Sequence, residues 1–216
     1  MQVDWGSLRR MEPVSRHFGY DRGTPIDRYY IESFLEANSA SVQGRVLEIG
    51  DDTYTRRFGG DRVRRADTFH AHAGSPNVTF VGDLANAVTI PSNIFDCEII
   101  TQTLQFIPDP LAALRTLHRT LKPGGVLLMT LPTITAISAE SDAWSKMWHW
   151  SFTVASVRHM VHEVFSPQDT QLGIHGNILA AACALQGIAV EDISTAELDH
   201  YDPEYPLLLT LRAEKQ

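Results

Sequence analysis

The sequence predicts an α/β fold, a mostly parallel central sheet flanked by helices. Three observations carry that prediction. Strand-like and helix-like segments alternate along most of the chain, the order that builds parallel strands with crossover helices. The runs at 46–49 and 126–132 are apolar or nearly so without alternation, as strands covered on both faces are. The first of them, Val46-Leu47-Glu48-Ile49, runs directly into Gly50, as a strand does when it turns around a ligand.

Each element follows in order. Residues 1–17 lack periodicity and read as an arm or short helix. Tyr30, Phe34 and Leu35 fall near helical spacing, so 25–38 reads as an amphipathic helix with Pro25 in its first turn. "GRVLEIG" is a buried strand, and 54–58 a short helix or turn. "DRVRRAD" (61–67) reads as a second, weaker strand ending at Asp67, and "NVTFVGDL" (77–84) as a third. "FDCEIITQTLQFI" begins as a fourth strand, apolar from Cys97 to Ile100. The clearest helix is 109–125, with Leu111, Leu114, Leu117, His118 and Leu121 along one face and Pro123-Gly124-Gly125 as its stop. "VLLMTLP" (126–132) is the fifth strand. An aromatic loop (144–153), a helix (154–165), a strand (170–176), a helix ending at Gly187 and a closing strand (205–213) complete the chain.

The totals narrow the function. The chain has 216 residues, 44% hydrophobic and 20% charged, and suits one globular domain. A net charge of −8 argues against a nucleic-acid partner, which needs neutralising cations. The clusters Arg56-Arg57 and Arg62 to Arg65 are short and read as a solvated face. No apolar run reaches the roughly 20 residues of a membrane span, and the first residues lack an apolar signal core, so a cytoplasmic protein is expected. Cys97 and Cys183 sit in apolar stretches and are expected buried and reduced. No metal is expected: His70 and His72 stand two apart with no third ligand nearby.

The turn after the first strand selects the cofactor. A pyrophosphate needs close backbone approach, supplied by glycines in G-x-G-x-x-G. Here Asp52 takes the second glycine position, and Gly59 comes too late for the third. Asp51 and Asp52 would repel phosphate at close range. NAD and ATP are disfavoured, whereas a cationic cofactor without phosphates fits. S-adenosylmethionine (SAM), with an ammonium, a sulfonium and two free ribose hydroxyls, has that chemistry.

At these residues the sequence resembles a known family. "VLEIG", Asp67, "GDL" at 82–84, "FDCEIITQTLQFI" and "LKPGGVLLMTLP" are similar to the ordered motifs of class I SAM-dependent methyltransferases, over roughly residues 44–132. "HFGYDRGTPIDRYYIESFL" and "GDDTYTRRFGG" resemble a small bacterial subgroup often associated with glycosyltransferase or natural-product pathways. The resemblance implies a Rossmann-like domain over 1–216: a cap segment (1–40), a cofactor-binding core (44–132), then a substrate loop, helices and closing strand (133–216). It also implies residue roles. Gly50 lets the backbone pass the methionine part, and Glu48 orients the turn or reaches the ammonium through water. Asp67 binds the ribose hydroxyls, Asp83 and Leu84 hold the adenine, and Thr101, Gln102 and Thr103 stand where methionine and acceptor meet. Asp51 joins the cofactor set; the sequence departs from the family's glycines at Asp52 and Tyr54, which leaves the contacts of this turn open.

The acceptor side rests on the loop after the fifth strand. Trp144, Trp148 and Trp150 would wall a cavity for an apolar or ring substrate, and His149 is the candidate general base because histidine titrates near neutrality. Tyr20, Asp21 and Arg22 would line the same cavity from the N-terminal side. The expected activity is methyl transfer to a small-molecule acceptor, first a hydroxyl of a natural product or sugar. N- or C-methylation, and a SAM-fold module that binds without turnover, are the alternatives. An NAD-dependent oxidoreductase is disfavoured by the acidic turn.

Overall fold

The computed structural model describes residues 6–73, 78–137 and 147–216. Seven strands make one sheet: β1 (Gly44–Ile49), β2 (Val63–His70), β3 (Phe80–Val81), β4 (Phe95–Thr101), β5 (Leu121–Pro132), β6 (Thr170–His175) and β7 (Leu208–Glu214). Their order is β3-β2-β1-β4-β5-β7-β6. Strands β1 to β5 run parallel, and β7 lies antiparallel between β5 and β6. The strand order reverses between β1 and β4, which opens a crevice beyond their carboxyl ends.

Helices α1 (Ile26–Ala37), α2 (Pro110–Thr120), α3 (Val154–His162), α4 (Ile178–Gln186) and α5 (Thr195–Leu198) cover both faces. Side chains alternate across the sheet, as strand geometry requires. Leu47, Ile100, Leu127 and Met129 pack on one side with Leu114, Leu117, Val157 and Val161 of α2 and α3. Val46, Ile99 and Leu128 pack on the other with Ile26, Ile31, Leu35, Ala180 and Leu198. Each such fully buried aliphatic side chain stabilises the fold by about 1.5–3 kcal/mol.

Local chemistry sets the helix ends. Asp109 accepts from the Ala112 N–H at 2.9 Å, and Pro110 occupies the first turn of α2. Thr153 and Ser156 cap α3 reciprocally. Helix α4 starts on Asn177, whose side chain accepts from Ala180 N at 3.0 Å. It stops at Gly187, whose φ of +66° is left-handed and whose missing Cβ leaves room for the Ser15 carbonyl.

Several boundaries differ from expectation. Pro25 stands just before α1 as its N-cap instead of inside its first turn. Helix α2 ends at Thr120, before the Pro-Gly-Gly stop, because Leu121 is already extended and paired with Phe95; Lys122, preceding proline, favours the same conformation. Strand β3 shrinks to two residues. Strand β2 runs three residues beyond Asp67, to His70, with consequences for the site. Among the described residues no helix is long and apolar enough to cross a membrane.

The N-terminal segment is tied down before α1. The main-chain N–H groups of Val14 and Ser15 donate to Gln186 O at 2.8 and 3.0 Å. Arg22 pairs with Asp192 through both carboxylate oxygens, and Thr24 bonds to Glu191. These contacts hold Phe18 and Tyr20 over the open end of the sheet.

Candidate active site

A cavity of about 900 Å³ lies over the carboxyl ends of the parallel strands. That is the upper part of the usual ligand-pocket range, ~300–1,000 Å³. One wall is the turn after β1. Gly50 has φ +90°, which favours glycine, and a Cβ built there would meet no atom within 4 Å. Its N–H donates to Phe69 O at 3.0 Å, so the turn is pinned to β2 while its open side faces the cavity.

The carboxylates of this turn are committed to the turn itself. Glu48, 3% exposed, accepts from the Tyr54 and Thr55 N–H groups at 3.1 and 2.7 Å. Its carboxylate is bonded to the main chain of the turn and stays behind the cavity wall. Burial pushes its pKa up to about 7, opposed by those two N–H donors. Asp51 accepts from Thr53 N at 2.9 Å and Asp52 pairs with Arg56; neither lines the cavity. The expected Asp51–cofactor contact is thus absent from the geometry, because a local Asx turn uses that carboxylate.

Asp67 requires the larger correction. It sits opposite Leu47 in the middle of β2, 1% exposed, between Arg45 Nε at 2.6 Å and Arg65 at 2.9–3.0 Å. An acid placed three residues short of the strand end cannot reach past it, and this one holds two guanidinium groups. Phe69, His70 and His72 line the cavity at the true end of β2. Asp83 and Leu84 also line it. Asp83 spends one oxygen capping Ala85 N at 2.9 Å, and Leu84 is buried.

At the end of β4, Thr101, Gln102 and Thr103 all reach the cavity. Gln102 adopts φ +46°, rare for a residue with a side chain, and its N–H donates to Thr130 at 3.2 Å. Next to it, Gln105 is 1% exposed and donates through Nε2 to Gln102 Oε1 at 3.3 Å; among the described residues its own Oε1 has no partner.

The aromatic loop divides. Trp148 lines the cavity, its ring edge-on to Phe106 at 5.1 Å. Trp150 turns away, 42% exposed, with Nε1 bonded to Ile107 O at 2.9 Å. His149 is held by its main-chain N–H on Gln105 O at 2.7 Å, which leaves its ring exposed and outside the cavity lining. His149 is therefore not positioned as a base. Trp144 lies outside the described residues. On the N-terminal side Tyr20 lines the cavity, whereas Arg22 is consumed by Asp192 and Asp21 by the Ser15 hydroxyl.

Sequence reasoning missed Phe18, Asp27, Arg28 and Phe106, all in the cavity wall. The strand-end rule could have flagged His70 had the register of β2 been known. Asp27 and Arg28 carried a weaker signal, a charge pair in the first turn of an apolar helix.

A glycine turn after β1, a switch point between β1 and β4, an antiparallel β7 and a deep cavity at the carboxyl edge define a Rossmann-like fold of the class I methyltransferase type. Residues 43–129 match the family described as a methyltransferase domain. The match spans 87 of the 216 residues, the segment that runs from β1 into β5.

Among curated proteins it is similar to the ubiquinone/menaquinone biosynthesis C-methyltransferase UbiE of Enterobacter sp. (strain 638), 42% identical over 72 residues. That match covers 32% of this chain and 29% of UbiE, so the chain matches under a third of the length of these relatives. Among solved structures it is similar to the N-methyltransferase NodS from Bradyrhizobium japonicum WM9 in complex with S-adenosyl-L-homocysteine (SAH): TM-score 0.55, 14% identity, 90% of each chain. The [4+2]-cyclase SpnF superposes equally well, with TM-score 0.56 and 17% identity over 90% of this chain and 84% of that one. At such identities the structural matches establish the fold alone.

Proposed function

We propose that the protein transfers the methyl group of SAM to a small-molecule acceptor, a hydroxyl group being the first candidate. The observation that carries this reading is the cavity of about 900 Å³ over the carboxyl ends of the parallel strands, with the Gly50 turn in one wall and Gln102, Thr103, Phe106 and Trp148 in another. An acceptor's ring would pack on Phe106 and Trp148 while Gln102 or Thr103 meets its polar group. The cavity volume suits a cofactor and a small acceptor together.

The residues present fit SAM. Gly50 offers bare backbone open to the cavity, and Asp83 keeps one oxygen beyond its cap for a nucleoside amine. SAM supplies the reactive methyl when bound. The chain contributes alignment and exclusion of water: Phe18, Phe106 and Trp148 wall the cavity, and Gln102 and Thr103 face the acceptor. No step assigns a base to His149, whose ring lies outside. The O, N or C identity of the accepting atom rests on the acceptor's own chemistry, and the partial likeness to a C-methyltransferase keeps carbon among the candidates.

Calorimetric titration with SAM, SAH and NAD tests the cofactor, and an acceptor screen with methyl-labelled SAM tests the reaction. Binding of SAM and SAH but not NAD is expected; no SAM or SAH binding at millimolar ligand would sink the proposal. Tight SAM binding with no labelled product across hydroxyl, amine and carbon acceptors would favour a binding module without turnover.

A further inference from the structure

Helix α1 brings a carboxylate and a guanidinium into the cavity from consecutive positions. One flank of α1 faces β6 and α5: Tyr30 donates to Leu198 O at 2.8 Å, and its ring lies 5.7 Å from His175. The other flank faces the β1 turn: Arg28 donates to the Tyr54 hydroxyl at 2.9 Å, and Glu32 pairs with Arg57 at 2.8 Å. At ~100° per residue, position 27 falls between these flanks, on the side facing the sheet. Asp27 and Arg28 both line the cavity there, beside Ile49 and Gly50.

The two side chains differ in how far the protein uses them. Among the described residues Asp27 has no side-chain partner; its carboxylate meets only main-chain N–H groups of the first turn of α1. Burial raises its pKa, with Arg28 opposing. Burial acts against the charge of Arg28 as well, and Asp27, Tyr54 and Tyr20 together more than offset it. Arg28 is the single Lys or Arg among the described lining residues.

The cofactor's amino-acid end carries an ammonium and a carboxylate on one carbon, so it needs an anion and a cation side by side. The β1 turn offers the cavity no anion, since Glu48, Asp51 and Asp52 do not line it. Asp83, the other carboxylate in the cavity wall, follows β3 at the far edge of the sheet. We infer that Asp27 and Arg28 bind the amino-acid end of SAM, Asp27 accepting from the ammonium and Arg28 pairing with the carboxylate. This assignment rests on the SAM-binding reading above and adds the residues that distinguish an amino-acid nucleoside from a plain one.

The test compares two ligands by calorimetry: SAH, and 5′-methylthioadenosine, which keeps the nucleoside and the sulfur but lacks the amino acid. Asp27→Asn removes the charge at constant shape and disturbs no side-chain bond. Charge-assisted hydrogen bonds are the strong ones, so Asp27→Asn and Arg28→Gln should each weaken SAH by about tenfold or more and leave 5′-methylthioadenosine within about twofold. The second ligand also reports whether Arg28→Gln, which loses its bond to Tyr54, keeps the nucleoside site folded. Equal weakening of both ligands, or unchanged SAH affinity in Asp27→Asn, overturns the assignment while leaving the SAM reading in place. Wild-type protein that binds neither ligand overturns both.

Discussion

Replacing Asp67 by asparagine separates a structural acid from a cofactor-binding one. The side chain is 1% exposed and is shared by Arg45 and Arg65, whose side chains are 26% and 58% exposed. Removing one partner of a buried ion pair costs about 3–5 kcal/mol when the stranded charge stays buried. Here both arginines can regain water, Arg65 more readily, and the asparagine oxygen can still accept one bond. About 2 kcal/mol of destabilisation is therefore expected. For a domain of this size that lowers the Tm by roughly 4–8 °C. Urea denaturation gives the stability change, and calorimetric titration with SAH gives the affinity. The expected outcome is a lower denaturation midpoint with SAH affinity within about twofold of wild type at a temperature where the variant is folded. A tenfold loss of SAH affinity with an unchanged midpoint would refute the placement of Asp67 inside the sheet and restore it to the ribose.

Three further outcomes follow from the same geometry. The raised pKa of Glu48 contributes stability that is fully present below its unfolded value of 4.5 and is lost as pH rises through about 7, on the order of 3 kcal/mol in all. Glu48→Gln gives up one of the two N–H acceptors but also the titration, so its deficit against wild type in urea should be larger at pH 5 than at pH 8; a deficit independent of pH would count against the burial argument. Gly50→Ala forces a side chain to φ +90°, costing about 1–2 kcal/mol, and puts a methyl into the cavity, so both the urea midpoint and SAH affinity should fall; a variant that binds SAH normally would move the cofactor away from this turn. Glu98 is fully buried, its pKa raised by burial, with Oε1 held by Thr120 at 2.6 Å and Oε2 without a partner among the described residues. Because the Thr120 hydroxyl can donate to the Thr116 or Leu117 carbonyl instead, Glu98→Met should be neutral to stabilising at pH 8, and a clear loss in the urea midpoint would show that the carboxyl is needed.

Where sequence and structure part company, the cause is mostly register. The strand signal of "DRVRRAD" is weak because charges alternate with single apolar residues, and it gives no local reason to continue past Asp67. Pairing with β1 carries β2 on to Phe69, opposite Ile49, and places Asp67 beside Leu47. That moves the site from an acid to the residues around His70. His149 fails for a related reason: a histidine between tryptophans looks like a base beside a ring pocket. The residue is nevertheless exposed and outside the cavity lining. Asp27 and Arg28 were legible only as a polar helix start, since nothing local says which side of α1 crosses the sheet end.

The sequence by itself determined the strand and helix order, the glycine turn at Gly50 and the Gly187 stop. Each depends on short-range physics: hydrophobic period and the φ a residue tolerates. Only the tertiary structure decided which carboxylates are free to meet a ligand. Glu48, Asp51, Asp52 and Asp67 are all claimed by neighbours, two of them by arginines on β1 and β2 or one helical turn away, whereas Asp27 is left facing the cavity. A carboxylate's role follows from its partners. Those partners are fixed by strand register and helix placement, which no local pattern encodes.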